Sequence, residues 1–336
     1  MPSNRSRVAG LALIAIAASS AAQAVEARER LRIIEQFGIS YLPLHVIQDH
    51  ELIQKHAEQA GIEVDVEWRR LSGGAAVNDA LLSGSIDIAS AGVGPLLTVW
   101  DRTRGSANVK AIAALGHAPN YLLTRDPEIR SLEDIGPDHR IAVPAVGVSV
   151  QSRFLQYAAA NTFGAEQYDA LDGRTLSLPH PDATAALISG GTEISSHFSS
   201  VPYQYQALEQ EGITKVTDSY EILGGPVTPV LVYATDRFRT DNPELYEVFL
   251  AALTEASEII EADREAAVDT FLRVTGSGLD RELLSRVVND PQIDFTLVPG
   301  NTYPLAEFLH QVGAIRHHPE SWQDYFFDEA HAWEGS

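Results

Sequence analysis

The sequence contains no cysteine. Disulfide bridges, thiolate metal sites and cysteine nucleophiles are therefore excluded together. Basic residues are scarce: 24 Lys and Arg stand against 46 Asp and Glu, a formal charge of -22 over 336 residues. Non-specific nucleic-acid binding needs clustered cations to displace phosphate counterions, so this balance argues against it. It argues equally against a general affinity for anionic membrane surfaces. A small anionic ligand stays open, because helix N-termini can override net charge locally. No run after residue 24 is long and apolar enough to span a bilayer. No H-E-x-x-H, G-x-S-x-G or phosphate-loop pattern occurs. What is present is 45% hydrophobic residues, enough for a full core in two domains or one large one.

The N-terminus reads as an address. Arg5 and Arg7 precede the apolar run Val8 to Ala18, and small residues end in Ala22-Gln23-Ala24. That order of basic, apolar and small residues predicts a secretory signal peptide over 1–24, cleaved after Ala24.

Beyond it, short apolar strands alternate with longer helical patterns, which predicts an α/β fold. Leu31 to Ile34, Val64 to Trp68, Ile86 to Ser90, Val109 to Leu115, Tyr121 to Thr124, Arg140 to Pro144, Leu176 to Leu178, Ile194 to His197 and Val230 to Ala234 read as strands. Leu44 to Ala60 reads as one amphipathic helix ended by Gly61, and the chain beyond Pro243 is mainly helical. An internal echo joins Ala80 to Ser90 with Ala186 to Ser196: each runs helix end, glycine stop, acidic residue, strand. It suggests two related lobes. Asp87 and Glu193 within it read as turn carboxylates, since Asp favours such turns.

In open α/β sheets, ligands collect outside the carboxyl ends of strands. Five loops occupy that position: Gln36-Phe37-Gly38, Ser72-Gly73-Gly74, Gly92-Val93-Gly94-Pro95, Val146-Gly147-Val148-Ser149, and His197 to Pro202. Glycine permits close backbone approach, and a helix N-terminus offers unpaired N–H groups. None of these loops holds Arg or Lys. His197 reads either as a donor to an anion or as a hydrogen-bonded strand-end residue. Phe37, Tyr41, Trp68 and Phe198 read either as an aromatic wall or as core. His45, Asp49, His50 and His56 fall at helical spacings, and a solvated helix face is the preferred reading over a zinc site.

The segment Leu82 to Ala89 with Gly92-Val93-Gly94-Pro95 resembles the first-lobe signature of ABC-transporter substrate-binding proteins of the nitrate/sulfonate/taurine family. Ser131 to Ile135, Ile141 to Pro144 and Gly147-Val148-Ser149 are similar to that family's second-lobe start. The resemblance implies a type II periplasmic-binding-protein fold, with two α/β lobes, a hinge and a ligand cleft. Lobe one would hold 25–120 and 225–336, and lobe two 121–224. Gln36, Phe37, Ser72, Gly73, Gly74, Gly92, Val93, Gly94, Gly147, Val148, Ser149, His197 and Phe198 would face the ligand. The family often has Asp-Ala after the second lobe's glycine, then an aromatic and a proline. Here Glu193-Ile194 and the Ser- and His-rich run to Pro202 depart from it, which changes the expected contacts.

The implied function is a periplasmic solute receptor of an ABC importer, without catalysis, cofactor or metal. Its solute would be a small anion or zwitterion of the sulfonate, taurine or nitrate class. Its partners would be a membrane permease and its ATPase subunits, and a monomer is expected. The alternatives are a receptor for a pyrimidine or other aromatic solute, or an enzyme related to thiamine-pyrimidine synthesis proteins.

Overall fold

Residues 29–336 are described by a computed structural model. The expected signal peptide and its cleavage bond lie outside the described residues. The chain opens with β1 (Glu29–Glu35), α1 (Leu42–Asp49), α2 (Leu52–Ala60), β2 (Val64–Arg70), α3 (Gly74–Leu82), β3 (Ala89–Gly92), α4 (Val93–Thr103) and β4 (Lys110–Ala114). It continues through β5 (Tyr121–Thr124), β6 (Ile141–Val143), α5 (Val150–Phe163), β7 (Thr175–Ser177), α6 (His180–Ser189), β8 (Ser196–Phe198), α7 (Tyr203–Leu208), β9 (Thr214–Asp218) and α8 (Ser219–Leu223). It ends with β10 (Val230–Ala234), α9 (Asp236–Asp241), α10 (Pro243–Ala262), α11 (Arg264–Thr275), α12 (Arg281–Val288) and α13 (Tyr303–Gln311).

Two groups of strands result. β1 and β2 pair in parallel, and β10 lies antiparallel between β3 and β4. A parallel bridge from Ile33 to Ile88 ties the β1–β2 pair to the strand trio. All five residues of β10 are buried, as expected for a central strand of continuous apolar sequence. The second group is one sheet in the order β7-β6-β8-β5-β9. Here β6 is parallel to β7 and β8, while β5 is antiparallel to β8 and β9.

The chain passes between the groups twice, from β4 to β5 and from α8 to β10. The two crossings run side by side, with Ala118 N donating to Val227 O at 3.4 Å. The first crossing is also pinned to the C-terminal region. Gly116 has φ +126°, and a Cβ there would sit 2.1 Å from Asp294 O. The next backbone N–H, that of His117, donates to Asp294 Oδ1 at 3.0 Å.

One apolar core gathers Leu31, Ile33, Phe249 and Phe271 where α1, α2, α10 and α11 cover the first strands. Another runs through both strand groups: Leu231 and Ala91 belong to it, and so do Leu122, Ile141 and Phe154. The C-terminal α13 joins it, with the Phe308 ring edge-on to Tyr157 of α5 at 4.9 Å. Among the described residues, no helix is long and apolar enough to cross a membrane.

Several elements differ from the sequence reading. The expected helix Leu44 to Ala60 is two helices, parted where Glu51 turns to φ 50°. The apolar stripe continues across the break, so periodicity alone does not reveal it. Residues 93–95 are not a loop but the first turn of α4. Pro95 is tolerated there because first-turn N–H groups have no partner within the helix. The echoed segments both run from helix to strand, into β3 and β8, but these strands start at Ala89 and Ser196, later than expected. Strand β9 and helix α8 were not anticipated.

Gly116→Ala tests the pinned crossing. The substitution forces both a positive φ and a backbone clash, and should cost about 2–4 kcal/mol in urea unfolding. Gly105→Ala, at φ +74° with nothing within 4 Å, should cost only about 1 kcal/mol.

Candidate functional site

The carboxyl ends of β1, β2, β3, β6 and β8 surround one cavity, which extends to Asn120 on the first crossing. It offers the centre of a water-sized sphere about 40 Å³.

On the first-group side, Gln36 follows β1 and acts as a brace. Its Nε2 donates to Ser90 O at 3.2 Å, and its Oε1 accepts from Gly73 N at 3.0 Å. The charge next to it is neutralised behind the wall. Glu35 is 4% exposed and accepts from Arg70 Nε at 2.8 Å. His45 Nε2 lies 2.9 Å from Glu35 Oε2, close enough for charge pairing but out of line for a hydrogen bond. Burial alone would raise the Glu35 pKa, but His45 and Arg70 overcome it and hold the carboxyl below its ordinary range. His45 is therefore fully buried, not on a solvated face as its helical spacing suggested; that face is packed under α11, with the Phe271 ring 5.5 Å away. Asp49 bonds Thr270 and Arg273, and His56 meets Glu255. Asp87 is bound to Arg32 in β1 through both backbone and side chain.

On the second-group side, the Ser149 side chain caps α5 by accepting from Ser152 N at 3.3 Å. Gln151 Nε2 lies 3.3 Å from His180 Nε2, and His180 Nδ1 lies 2.9 Å from His197 Nε2. Thr184 Oγ1 ends the row, 3.4 Å from His197 Nδ1. Burial pushes the His180 pKa down to about 3, and burial with the neighbouring His180 pushes His197 well below its usual value. Both rings are neutral at pH 7. Tyr41 also lines the cavity; burial, and secondly the Glu35 charge, raise its pKa and keep the hydroxyl protonated.

Of the residues expected from sequence, Gln36, Phe37, Ser72, Gly74, Gly92 and Ser149 line this cavity. Gly73, Val93, Gly94, Gly147, Val148, His197 and Phe198 do not. The Gly73 N–H is used by Gln36, and Val93 is fully buried with its N–H on Pro229 O. Gly147 N donates to Ser152 Oγ at 3.1 Å. Gly94 faces the other strand group, where a Cβ would meet Arg153 Cγ at 2.8 Å and Val148 O at 2.9 Å. His197 and Phe198 are 0% exposed within β8, and Phe198 packs on the Phe154 ring. Trp68 packs against the first core.

Sequence reasoning missed His180, Gln151 and Asn120. His180 carried a readable signal, since it opens a helix directly after a strand, like the loops that were chosen. Asn120 has no local signature. It is 1% exposed, and its Oδ1 has no hydrogen-bond partner.

No Asp, Glu, Lys or Arg lines the cavity, but four helix N-termini do. Gly74 opens α3, Gly92 caps α4, Ser149 caps α5 and His180 opens α6. The aligned dipoles at these ends favour negative charge, while Val93 N is spent on Pro229 O, Ser152 N on Ser149 Oγ, and Pro95 and Pro181 have no N–H. A more open hollow of about 360 Å³ shares Gln36 and Phe37 and carries Arg70, whose guanidinium lies 5.6 Å from the Phe37 ring centre. Among the described residues no three His, Asp or Glu side chains stand together as a metal cluster.

No family model matches the chain, and no curated protein does. Solved structures do. A Candida albicans protein described as having the generic periplasmic binding protein fold superposes with TM-score 0.67 at 12% identity, covering 89% of this chain and 96% of that one. This chain has the periplasmic-binding-protein fold. The alkanesulfonate-binding protein SsuA of Xanthomonas axonopodis pv. citri, bound to MOPS, shares the fold with TM-score 0.68 and 20% identity, over 90% of this chain and 99% of that one. The periplasmic nitrate-binding protein NrtA of Synechocystis PCC 6803 gives TM-score 0.68 and 14% identity, over 89% and 84%.

Two outcomes follow from this geometry. Between pH 6.5 and about 3, the unfolded chain takes up a proton at residue 180 that the native protein refuses, so stability falls as pH falls through that window. His180→Gln should flatten the stability curve by about 2 kcal/mol between pH 7 and pH 5, read by urea unfolding at each pH. Gly94→Ala should force the facing segments apart, costing about 1–3 kcal/mol and enlarging the radius of gyration in X-ray scattering.

Proposed function

We propose that this protein is the extracytoplasmic solute-binding subunit of an ABC importer. It captures a small anionic or zwitterionic solute between two lobes, formed by 25–120 with 225–336 and by 121–224. One observation carries the reading: an uncharged polar cavity at the meeting point of four helix N-termini. Such a wall attracts negative charge without the desolvation cost of a buried cation. Fold similarity to proteins described as sulfonate- and nitrate-binding supports the same class. On this reading residues 1–24 are a cleaved signal peptide, the mature protein is a periplasmic monomer, and no catalytic step occurs. Closure of the lobes on solute presents a surface to a membrane permease and its ATPase subunits.

Gln36, Phe37, Ser72, Gly74, Gly92, Ser149, Gln151 and His180 are the proposed solute-facing residues. Gly73, Val93, Gly94, Gly147 and Val148 act through the shape of the wall. An aromatic solute has Phe37 and Tyr41 in the cavity wall in its favour, while Phe198 and Trp68 pack elsewhere. The enzyme alternative is less well supported, because no Asp, Glu, Lys or Arg lines the cavity and burial holds the His180 ring neutral.

Thermal unfolding of the chain from Val25, stripped of bound solute, tests the proposal. The panel is taurine, alkanesulfonates, nitrate, bicarbonate, sulfate, pyrimidines and amino acids. A binding anion or zwitterion at 100 times its Kd should stabilise by about 2.7 kcal/mol and be recovered unchanged. Stabilisation by pyrimidines alone, or conversion of the hit to product, would overturn the reading.

A further inference from the structure

The helix N-termini account for the anionic part of a solute. They do not account for Asn120. This side chain lines the same cavity at 1% exposure, yet its Oδ1 has no hydrogen-bond partner. Its backbone is fully engaged: N donates to Ser219 Oγ at 3.0 Å, and O accepts from Ser219 N at 2.9 Å. The main chain at Asn120 is thus fixed on the crossing segment between the two strand groups. A buried polar atom without a partner carries the full cost of its desolvation. An amide oxygen cannot be satisfied by an oxyanion that only accepts hydrogen bonds.

We propose that Asn120 is a specificity residue and that the solute carries a hydrogen-bond donor, an amino or hydroxyl group, as well as its anionic head. The inference rests on the solute-binding reading above and narrows it. The remaining wall agrees with a dual ligand. The N-terminal ends of α3, α4, α5 and α6 take the negative group, while Asn120 belongs to no helix and is carried by the crossing. No carboxylate lines the cavity to receive a fully formed cation, so recognition of the donor falls to a neutral acceptor. A site built to hydrogen-bond a ligand N–H or O–H rejects the analogue that lacks it, because its own buried group is then left unpaired.

Matched pairs make the test. Calorimetric Kd values are measured for ethanesulfonate, 2-aminoethanesulfonate and 2-hydroxyethanesulfonate, and for nitrate against bicarbonate. Wild-type protein should bind a donor-bearing member at least about tenfold more tightly than its donor-free partner. Asn120→Leu should abolish that ratio by weakening the donor-bearing solutes alone, and Asn120→Asp should move preference from the hydroxyl to the amine. Far-UV circular dichroism checks that both variants are folded. If Asn120→Leu does not fold, the wild-type ratios and the Asn120→Asp shift decide. Equal affinities within each pair in wild type, or equal weakening of all solutes by Asn120→Leu, would overturn the role of Asn120 while leaving solute binding intact. Failure of the folded wild type to bind any of the five solutes would overturn the solute-binding reading itself, and this inference with it.

Discussion

Three glycines allow backbones to meet where side chains would hold them apart. A Cβ at Gly74 would lie 2.1 Å from Pro95, one at Gly92 would lie 2.8 Å from Val150, and one at Gly94 would strike Arg153 and Val148. These contacts bring the N-terminal ends of α3, α4 and α5 around a single small space. Two of the three join the first strand group to the second. The cavity, its size and its polarity all depend on this steric allowance. A methyl group at any of these positions would move one helix end away from the others.

The same arrangement reconciles a strongly acidic chain with an anion-favouring cavity. Glu35, next in sequence to Gln36, is buried and bound by Arg70, with His45 Nε2 2.9 Å from its Oε2. The nearest titratable rings, His180 and His197, are stripped of charge by burial. What remains is the field of four helix ends, which needs no counter-ion and carries no large desolvation penalty. A wall of hydroxyls and amides can then orient a solute by hydrogen bonds. In that wall the buried Asn120 Oδ1 has no hydrogen-bond partner.

Much of this was legible from local pattern. The alternation of strands and helices and the loops after β1, β2, β3 and β6 follow from short-range rules about period and glycine. Six of the residues chosen that way meet at the cavity. The errors have physical causes. Pro95 marked a turn by its ring, but the first turn of α4 accepts a residue without an N–H. His45 sits at a polar spacing, but α11 covers it and its Nε2 faces Glu35 Oε2 at 2.9 Å. His197 is the residue that the family resemblance places toward the ligand, but it lies buried within β8. Its ring is spent on His180 and Thr184, and His180 presents the row to the cavity.

The amino-acid order by itself determined the α/β alternation, the absence of thiol chemistry, the acidic balance and the places where strands hand over to helices. Each is set by composition or by residues within a few positions of one another. Tertiary structure alone decided which glycine faces which backbone, which histidine reaches the cavity and that Asn120 is left without a partner. Those outcomes rest on packing between segments far apart in the chain. Asn120 is anchored to Ser219, Gly94 lies against Arg153, and Gly116 lies under Asp294. No periodicity carries that information, because the contacts join segments far apart in the chain that meet only in the folded structure.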